Sequence, residues 1–522
     1  MTVVPDTFSG YVHNLTPAQE AKLRDLWVFF FTSAASILTS VYDVKLPEGP
    51  PSKLFEVLDK ITEPTVEAVI SALKDAETNE HTDASATDRI EGSGGDGDNV
   101  EKKDSGIGGE HREQETLDKV ESLINKDEAK KTLRTEMTTK KITPEHFSAL
   151  FAQLRQMGMQ ESEIKTMEKV VARMTPEEMC FAVIKMVKQE HPDSLLLRFL
   201  RARKWDVRKA FTMAVSAILW RKEMEVDDDI MPKGELHALQ KSRDQKLSAA
   251  ERKEGADFLE QLRTGKSFLH GVDRQGRPVI YVRVKIHKPG AQSQETLERY
   301  IVHVIESTRM VIAPPVESGT IVFDMSGFSL SNMEYQPVKF ILKCFEANYP
   351  ESLGVLLIHN APWIFSGVWR LIHGWMDPVV ASKVHFTRSI EDINRFVPRE
   401  QVPRELAGDE DWEYKYKEPD DDENAIMQDT ETRDSLMFER LMSGIHMFAA
   451  TAAWISATTF AGGKRNQATV EAVKMRRDTT IQKFRENYWR LDPYVRARAL
   501  IDRAGMLNPG GAVAMGLEGK GG

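Results

Sequence analysis

The stretch His359–Val384, HNAPWIFSGVWRLIHGWMDPVVASKV, governs how the rest of the chain is read. It holds Trp363, Trp369 and Trp375, three of the nine tryptophans in the protein. At about 100° per helical residue, a spacing of six sets successive rings about 240° apart, so they face in different directions. The pattern predicts a helix over Trp363–Met376 that is apolar nearly all round, broken mainly by Ser366, Arg370 and His373. Such a helix is either enclosed on every side, or covers an apolar cavity with one face and meets something apolar with the other. It is too short to span a bilayer, which takes about 20 apolar residues. Asp377-Pro378 stops it. Beyond lies a lone cation, Lys383, in the apolar run VVASKVHF, whose plain reading is a buried strand.

Upstream of this stretch the periodicity is that of alternating strands and helices. SFLHGVDRQGRPVIYVRV, from Ser267, reads as strand, turn and strand, with the turn at Asp273–Gly276. Leu297–Ile312 has helical spacing, GTIVFD at Gly319–Asp324 reads as a buried strand, Val338–Asn348 as a helix, and LGVLLIH at Leu353–His359 as another buried strand. Alternation of this kind predicts an α/β fold with a mainly parallel sheet and crossover helices. Before it, helical spacing runs from Phe147 to Met174, restarts at Thr175-Pro176-Glu177-Glu178, and continues through SLLLRFLRARKWDVRKAFTMAVSAILWRKEM with Asp206 as a cap between two helices.

The chain has 522 residues, which predicts several domains. A 41% hydrophobic content is low enough to suggest an unstructured part. EGSGGDGDNVEKKDSGIGGE is almost free of apolar residues and cannot offset its ordering entropy, so 76–140 is expected to be a disordered linker. The remaining divisions expected are a helical region over 1–75, a helical lobe over 141–235, an α/β lobe over 236–412, a helical region over 413–505 set off by the acidic DEDWEYKYKEPDDDE, and a disordered Gly-rich tail over 506–522. Leu26–Tyr42, LWVFFFTSAASILTSVY, follows a charged helical pattern and is read as a buried or interfacial helix rather than a signal or a span. The net charge of −10 argues against nucleic acid as a partner. Two distant cysteines, Cys180 and Cys344, fit a reducing compartment and give no metal-ligand spacing.

Enzymatic motifs fail on inspection. TGKS at Thr264–Ser267 would need its first phosphate-loop glycine at Glu260, and GFSLS after GTIVFD is not a nucleophile elbow. Asp324, at a strand end, reads as a group that orders the following loop. No catalytic residue and no metal ligand is assigned. A binding site is better supported: Ser329, Ser331, Glu351 and Lys383 are polar points at strand ends, and Arg198, Arg201, Arg203, Lys204, Arg208 and Lys209 form a basic cluster ahead of the sheet. An apolar cavity ringed by a few polar groups suits an amphiphile.

In order along the chain, LLLRFLRARKWDV, DRQGRPV, FDMSGFSLSNM, YPESLGVLLIHNAPWIF and DPVVASKV resemble successive signatures of the CRAL-TRIO lipid-binding family, over roughly 176–408. LTPAQEAKLRDLW, QDTETR and LDPYVRARA extend the resemblance to fungal phosphatidylinositol transfer proteins of the CSR type. The resemblance implies the CRAL-TRIO fold: a helical N-lobe on a mainly parallel sheet that floors an apolar lipid pocket closed by a gate helix, with extra helical N- and C-terminal regions. It places Trp363, Phe365, Trp369 and Trp375 on the gate. It assigns a headgroup site to Arg203, Ser329, Ser331, Glu351 and Lys383, in which the carboxylate accepts from inositol hydroxyls and the cations and serines donate to phosphate. One position departs: where the family's secretory member has threonine three residues before the lysine, this chain has Val380, which removes a hydrogen bond.

The function implied is phosphatidylinositol binding and exchange between membranes, or presentation to enzymes such as lipid kinases. It carries no enzymatic activity and no cofactor beyond the bound phospholipid. The setting implied is cytoplasmic, with transient docking on intracellular membranes. The rival readings are a carrier of another apolar lipid such as a sterol precursor, a lipid hydrolase, and an interaction scaffold built on the extra helical regions.

Overall fold

A computed structural model describes residues 9–42, 144–175, 178–179, 181–459 and 467–515. The expected linker 76–140, most of the 1–75 region beyond Tyr42, and 516–522 lie outside the described residues. The described chain forms two compact units, one drawn from Met1–Trp27, Met186–Leu436 and Arg485–Gly522, the other from Val28–Lys185 and Met437–Phe484. The division at Lys185 falls inside the helical lobe expected over 141–235.

The second unit is helical. Leu150 and Leu154 in one helix, and Ile164, Met167 and Val171 in the next, recur at three- and four-residue intervals and are buried, as are Phe29, Phe30 and Phe31. Phe31 meets Phe448 edge-on at 5.6 Å between ring centroids. The Arg477 guanidinium lies over the Trp454 ring and donates to Thr451 Oγ1 at 2.9 Å, so its buried charge has both a π face and an acceptor.

The first unit holds the sheet. Its leading helices are α1 (Pro192–Ala202), α2 (Val207–Glu223), α3 (Met231–Arg243) and α4 (Ala249–Arg263). Asp206 caps α2 by accepting from Lys209 N, as its position predicts. β1 (Ser267–Val272) and β2 (Pro278–Arg283) form an antiparallel pair. β3 (Gly319–Asp324), β4 (Leu353–His359) and β5 (Val384–Thr387) then add in parallel, in the order β1-β2-β3-β4-β5. Crossover helices α5 (Gln294–Met310), α6 (Tyr335–Lys343) and α7 (Phe365–His373) join the parallel strands. Each new strand is added on the same side, so right-handed crossovers place all three helices over one face.

Alternation along the strands decides what each face meets. Val279, Tyr281, Val322, Val355 and Leu357 point to one side and pack on Ile390, Ile393, Val397, Val402 and Leu406. Ile280, Ile321, Leu356 and Ile358 point to the other, towards Phe345, Phe365, Val368 and Ile372. VVASKVHF is not one buried strand. Pro378–Ala381 forms a helical turn capped by Asp377, and β5 that follows is an edge strand with Phe386 half exposed.

The C-terminal part of the chain is tied into this unit. The acidic stretch after Gly408 was expected only to separate two regions, yet Trp412, Tyr414 and Tyr416 recur at every second position and turn inward. Trp412 and Tyr414 pack on Phe268, and the Tyr414 hydroxyl donates to Leu262 O at 2.6 Å. Gly265 permits this, since its backbone has φ +62 and a Cβ there would lie 2.6 Å from the Tyr414 ring. Buried Glu235 accepts from Tyr416 Oη at 2.8 Å and Leu500 N at 2.9 Å, and it pairs with His303 and Arg503. The expected disordered tail is ordered as far as residue 515. Leu507 and Asn508 pair with Val513 and Ala512, Leu507 is buried, and Gly511 lies against Trp489.

Candidate functional site

Between the sheet and its crossover helices lies a cavity of about 230 Å³. Ile280, Val282, Ile321, Phe323, Leu356 and Ile358 form its floor, the same-face residues of β2, β3 and β4. Its walls are Leu297, Ile301, Val304 and Ile305 of α5, Val338, Ile341 and Leu342 of α6, and Phe365, Trp369 and Ile372 of α7. Strand alternation supplies the floor, and helical spacing of three and four supplies each wall.

The helix expected over Trp363–Met376 is shorter, because Phe365 N and Ser366 N bond back to Pro362 O and Trp363 O in a leading turn and Gly374 follows its last residue. It takes the second of its two possible roles and covers the cavity. Phe365, Val368 and Ile372 are buried, while Ser366, Arg370, Leu371 and His373 face out. The outer face is thus more polar than expected. The three tryptophans do face differently. Trp369 lines the cavity and meets Phe386 edge-on at 5.1 Å. Trp375 stands edge-on to Tyr335 under the Lys339 ammonium. Trp363, two residues ahead of α7, is 86% exposed.

The five residues expected to share a headgroup site are not brought together. Lys383 Nζ and Glu351 Oε2 are 3.2 Å apart, each side chain one-fifth exposed. Both precede their strands, so they lie at the N-terminal edge of the parallel sheet. Arg203 ends α1, and Arg201, two residues earlier, bonds to Glu317 just ahead of β3, which places the end of α1 at that same edge. Ser329 and Ser331 instead follow β3. Their hydroxyls are 2.6 Å apart, both residues are exposed, and they belong to the opposite, C-terminal edge. None of the five is on the cavity wall. Val380 is buried in the core. Asp324 accepts from Ser326 N at 2.9 Å and so orders its loop.

A polar group on the wall itself was missed. Lys266, buried between α4 and β1, donates to Gln261 Oε1 at 2.5 Å and lies 3.0 Å from His287 Nδ1. His287 Nε2 is 2.9 Å from Glu334 Oε2. Lys266, His287, Glu334 and Asn332 all line the cavity, and the Asn332 side chain also holds the Ser329 loop. Burial pushes the Lys266 amine down to about 8. Burial, then the neighbouring ammonium, also lowers His287. The signal was a lysine beside the first strand, in the TGKS rejected as a phosphate loop. What the sequence did not carry is its pairing with His287, 21 residues on.

The model of the CRAL/TRIO domain matches residues 262–408, and that of the CRAL/TRIO N-terminal domain matches residues 147–216. A CRAL-TRIO domain-containing protein of Schizosaccharomyces pombe is 38% identical over 347 residues, 66% of this chain and 72% of that one. The phosphatidylinositol transfer protein CSR1 of Eremothecium gossypii is 36% identical over 323 residues, 62% of this chain and 70% of that one. The SEC14 cytosolic factor of Yarrowia lipolytica is 30% identical over 233 residues, 41% of this chain and 43% of that one.

Proposed function

Because the chain belongs to the CRAL/TRIO family, we propose that it binds a phospholipid, phosphatidylinositol, in the cavity over its sheet and exchanges it with membranes or presents it to lipid-metabolising enzymes such as lipid kinases. The observation that carries the reading is the apolar cavity closed by α7. Moving two acyl chains into water costs about 0.8 kcal/mol per methylene, on the order of 25 kcal/mol in all. A cavity walled by leucine, isoleucine, valine and phenylalanine returns nearly all of that, so exchange is close to balanced and needs a covered path rather than chemical work. The reading is of a carrier rather than an enzyme. Among the described residues no helix is long and apolar enough to cross a membrane, and the membrane contact proposed is docking. Trp363, Leu371 and Phe386, exposed around α7, suit that contact on intracellular membranes.

The pair Lys383–Glu351, with Arg203 at the same sheet edge, is the proposed inositol-phosphate site. An open lysine–carboxylate pair can part to give the ammonium to phosphate and the carboxylate to ring hydroxyls. A second reading, another apolar lipid such as a sterol precursor, is favoured by one observation: none of these headgroup residues lines the cavity. The test is transfer of labelled phosphatidylinositol between donor and acceptor vesicles by the purified full chain. Transfer well above the spontaneous rate is expected. Failure to move it, with a sterol precursor moved instead, decides for the second reading.

A further inference from the structure

We propose that Lys266 makes the C-terminal end of the cavity a second polar subsite, which takes the anionic oxygen head of an amphiphile whose chain fills the apolar walls. The proposal rests on the cavity being a lipid site and names a ligand class for it.

The ionisable side chains on the cavity wall are Lys266, Arg283, His287, Tyr300 and Glu334. Four of them are already engaged. Arg283 is bound by both oxygens of Glu405, at 2.8 Å each, and lies over the Phe268 ring. Tyr300 Oη is bound to Ser267 N at 3.0 Å. Glu334 is bound to His287. The carboxylate fixes the imidazole as the tautomer with a proton on Nε2, which leaves Nδ1 to accept from Lys266.

Lys266 differs. Its partners are neutral: the imidazole Nδ1 and the Gln261 amide oxygen. That amide is itself held in place, because Gln261 Nε2 donates to Asp257 O at 2.9 Å and Gln292 Oε1 at 3.1 Å. Among the described residues no carboxylate lies within ion-pair distance of the ammonium. A lysine has three N–H donors, and two of them are taken. A buried ammonium whose direct partners are neutral has its charge offset only by Glu334 across the imidazole, in surroundings where a second anion in direct contact would be bound strongly. The cavity is the side from which one can arrive. Backbone bonds hold the lysine in place, since Lys266 N donates to Gln261 O and its carbonyl accepts from Arg283 N. An acidic head entering here gains the third donor and the charge, and its chain lies along Val282, Phe323 and Ile301. This subsite lies at the opposite sheet edge from Lys383 and Glu351, so it is a separate recognition element over the same apolar space.

The test uses the full chain stripped of lipid, with oleate and oleyl phosphate as anionic probes and methyl oleate as the neutral one. Binding of methyl oleate reports the apolar cavity alone. At least one anionic probe is expected to bind about tenfold or more tighter than the ester, as a charge-assisted hydrogen bond requires. Which one does so separates a carboxylate head from a phosphate head. Lys266→Met is expected to erase the preference while ester binding stays, and Lys266→Arg to retain it. Equal binding of all three probes by the unaltered protein overturns the proposal, as does a preference that survives Lys266→Met. The comparison on the unaltered protein remains decisive if that variant does not fold. Failure of methyl oleate itself to bind would count instead against the cavity as a lipid site.

Discussion

Lys383 and Glu351 meet at 3.2 Å with one-fifth of each side chain in solvent. A pair so placed adds at most about 1 kcal/mol to folding, but its loss from a headgroup site costs a charge-assisted bond. Lys383→Ala is therefore expected to lower phosphatidylinositol transfer about tenfold or more while the melting temperature stays within a few degrees. Transfer at the unaltered rate would remove this residue from the site. Fully buried acids behave differently. Burial alone would raise Glu306, yet Arg221, Lys188 and Arg309 outweigh it and hold the carboxyl well below its usual range. Glu235, also buried, falls to about 2 under His303 and Arg503, and Asp227, whose side chain is partly exposed, falls to about 2 under Arg221 and Lys188. A carboxyl depressed in the folded state contributes stability that is fully present above its unfolded value near 4.5 and is lost as pH falls towards 2. Thermal melts of the unaltered protein should accordingly be flat from pH 7 to 5 and drop steeply below 4. Glu306→Gln should cost roughly 3 kcal/mol at pH 7, because it removes the buried anion that Arg221, Lys188 and Arg309 share and leaves them only Asp227 and Glu190.

At the scale of the element, α7 separates two jobs on one short helix. Phe365, Trp369 and Ile372 close the cavity, while Trp363, just ahead of the helix, is exposed to solvent. Trp363→Asp should leave folding and lipid loading intact but slow exchange several-fold, since a charge there opposes only the membrane-docked state. Its fluorescence in the unaltered protein should shift blue on addition of vesicles. Trp369→Asp should instead abolish loading, because it places a carboxylate on an apolar wall. Equal exchange by Trp363→Asp and the unaltered protein would mean that this residue does not dock. The angular spacing of the three tryptophans was legible in the sequence, and so were β3 and β4 to the residue, because each is a short, mostly apolar run bounded by polar and turn-forming residues. The bounds of α7 were not, because Pro362 and Gly374 end it through backbone bonds that hydrophobic spacing does not record.

At the scale of the molecule, order along the chain told which elements exist but not which strand ends meet. Ser329 follows a strand and Lys383 precedes one, and in a parallel sheet those positions lie at opposite edges. Reading both as points on one site was the natural error of a linear view. Lys266 and His287 were missed for the complementary reason, since only the β1–β2 pairing brings them together. The tail was misread because Leu507 and Val513 are few among glycines, yet each has a place in a core built elsewhere.

On the function proposed, the cavity over the sheet holds a lipid that the protein moves intact. Mass spectrometry of an organic extract of the purified full chain tests it most directly. Phosphatidylinositol is expected, in an amount approaching one molecule per chain and with both acyl chains present. An extract free of lipid, or one that yields only lysolipid and free fatty acid after incubation, would contradict it.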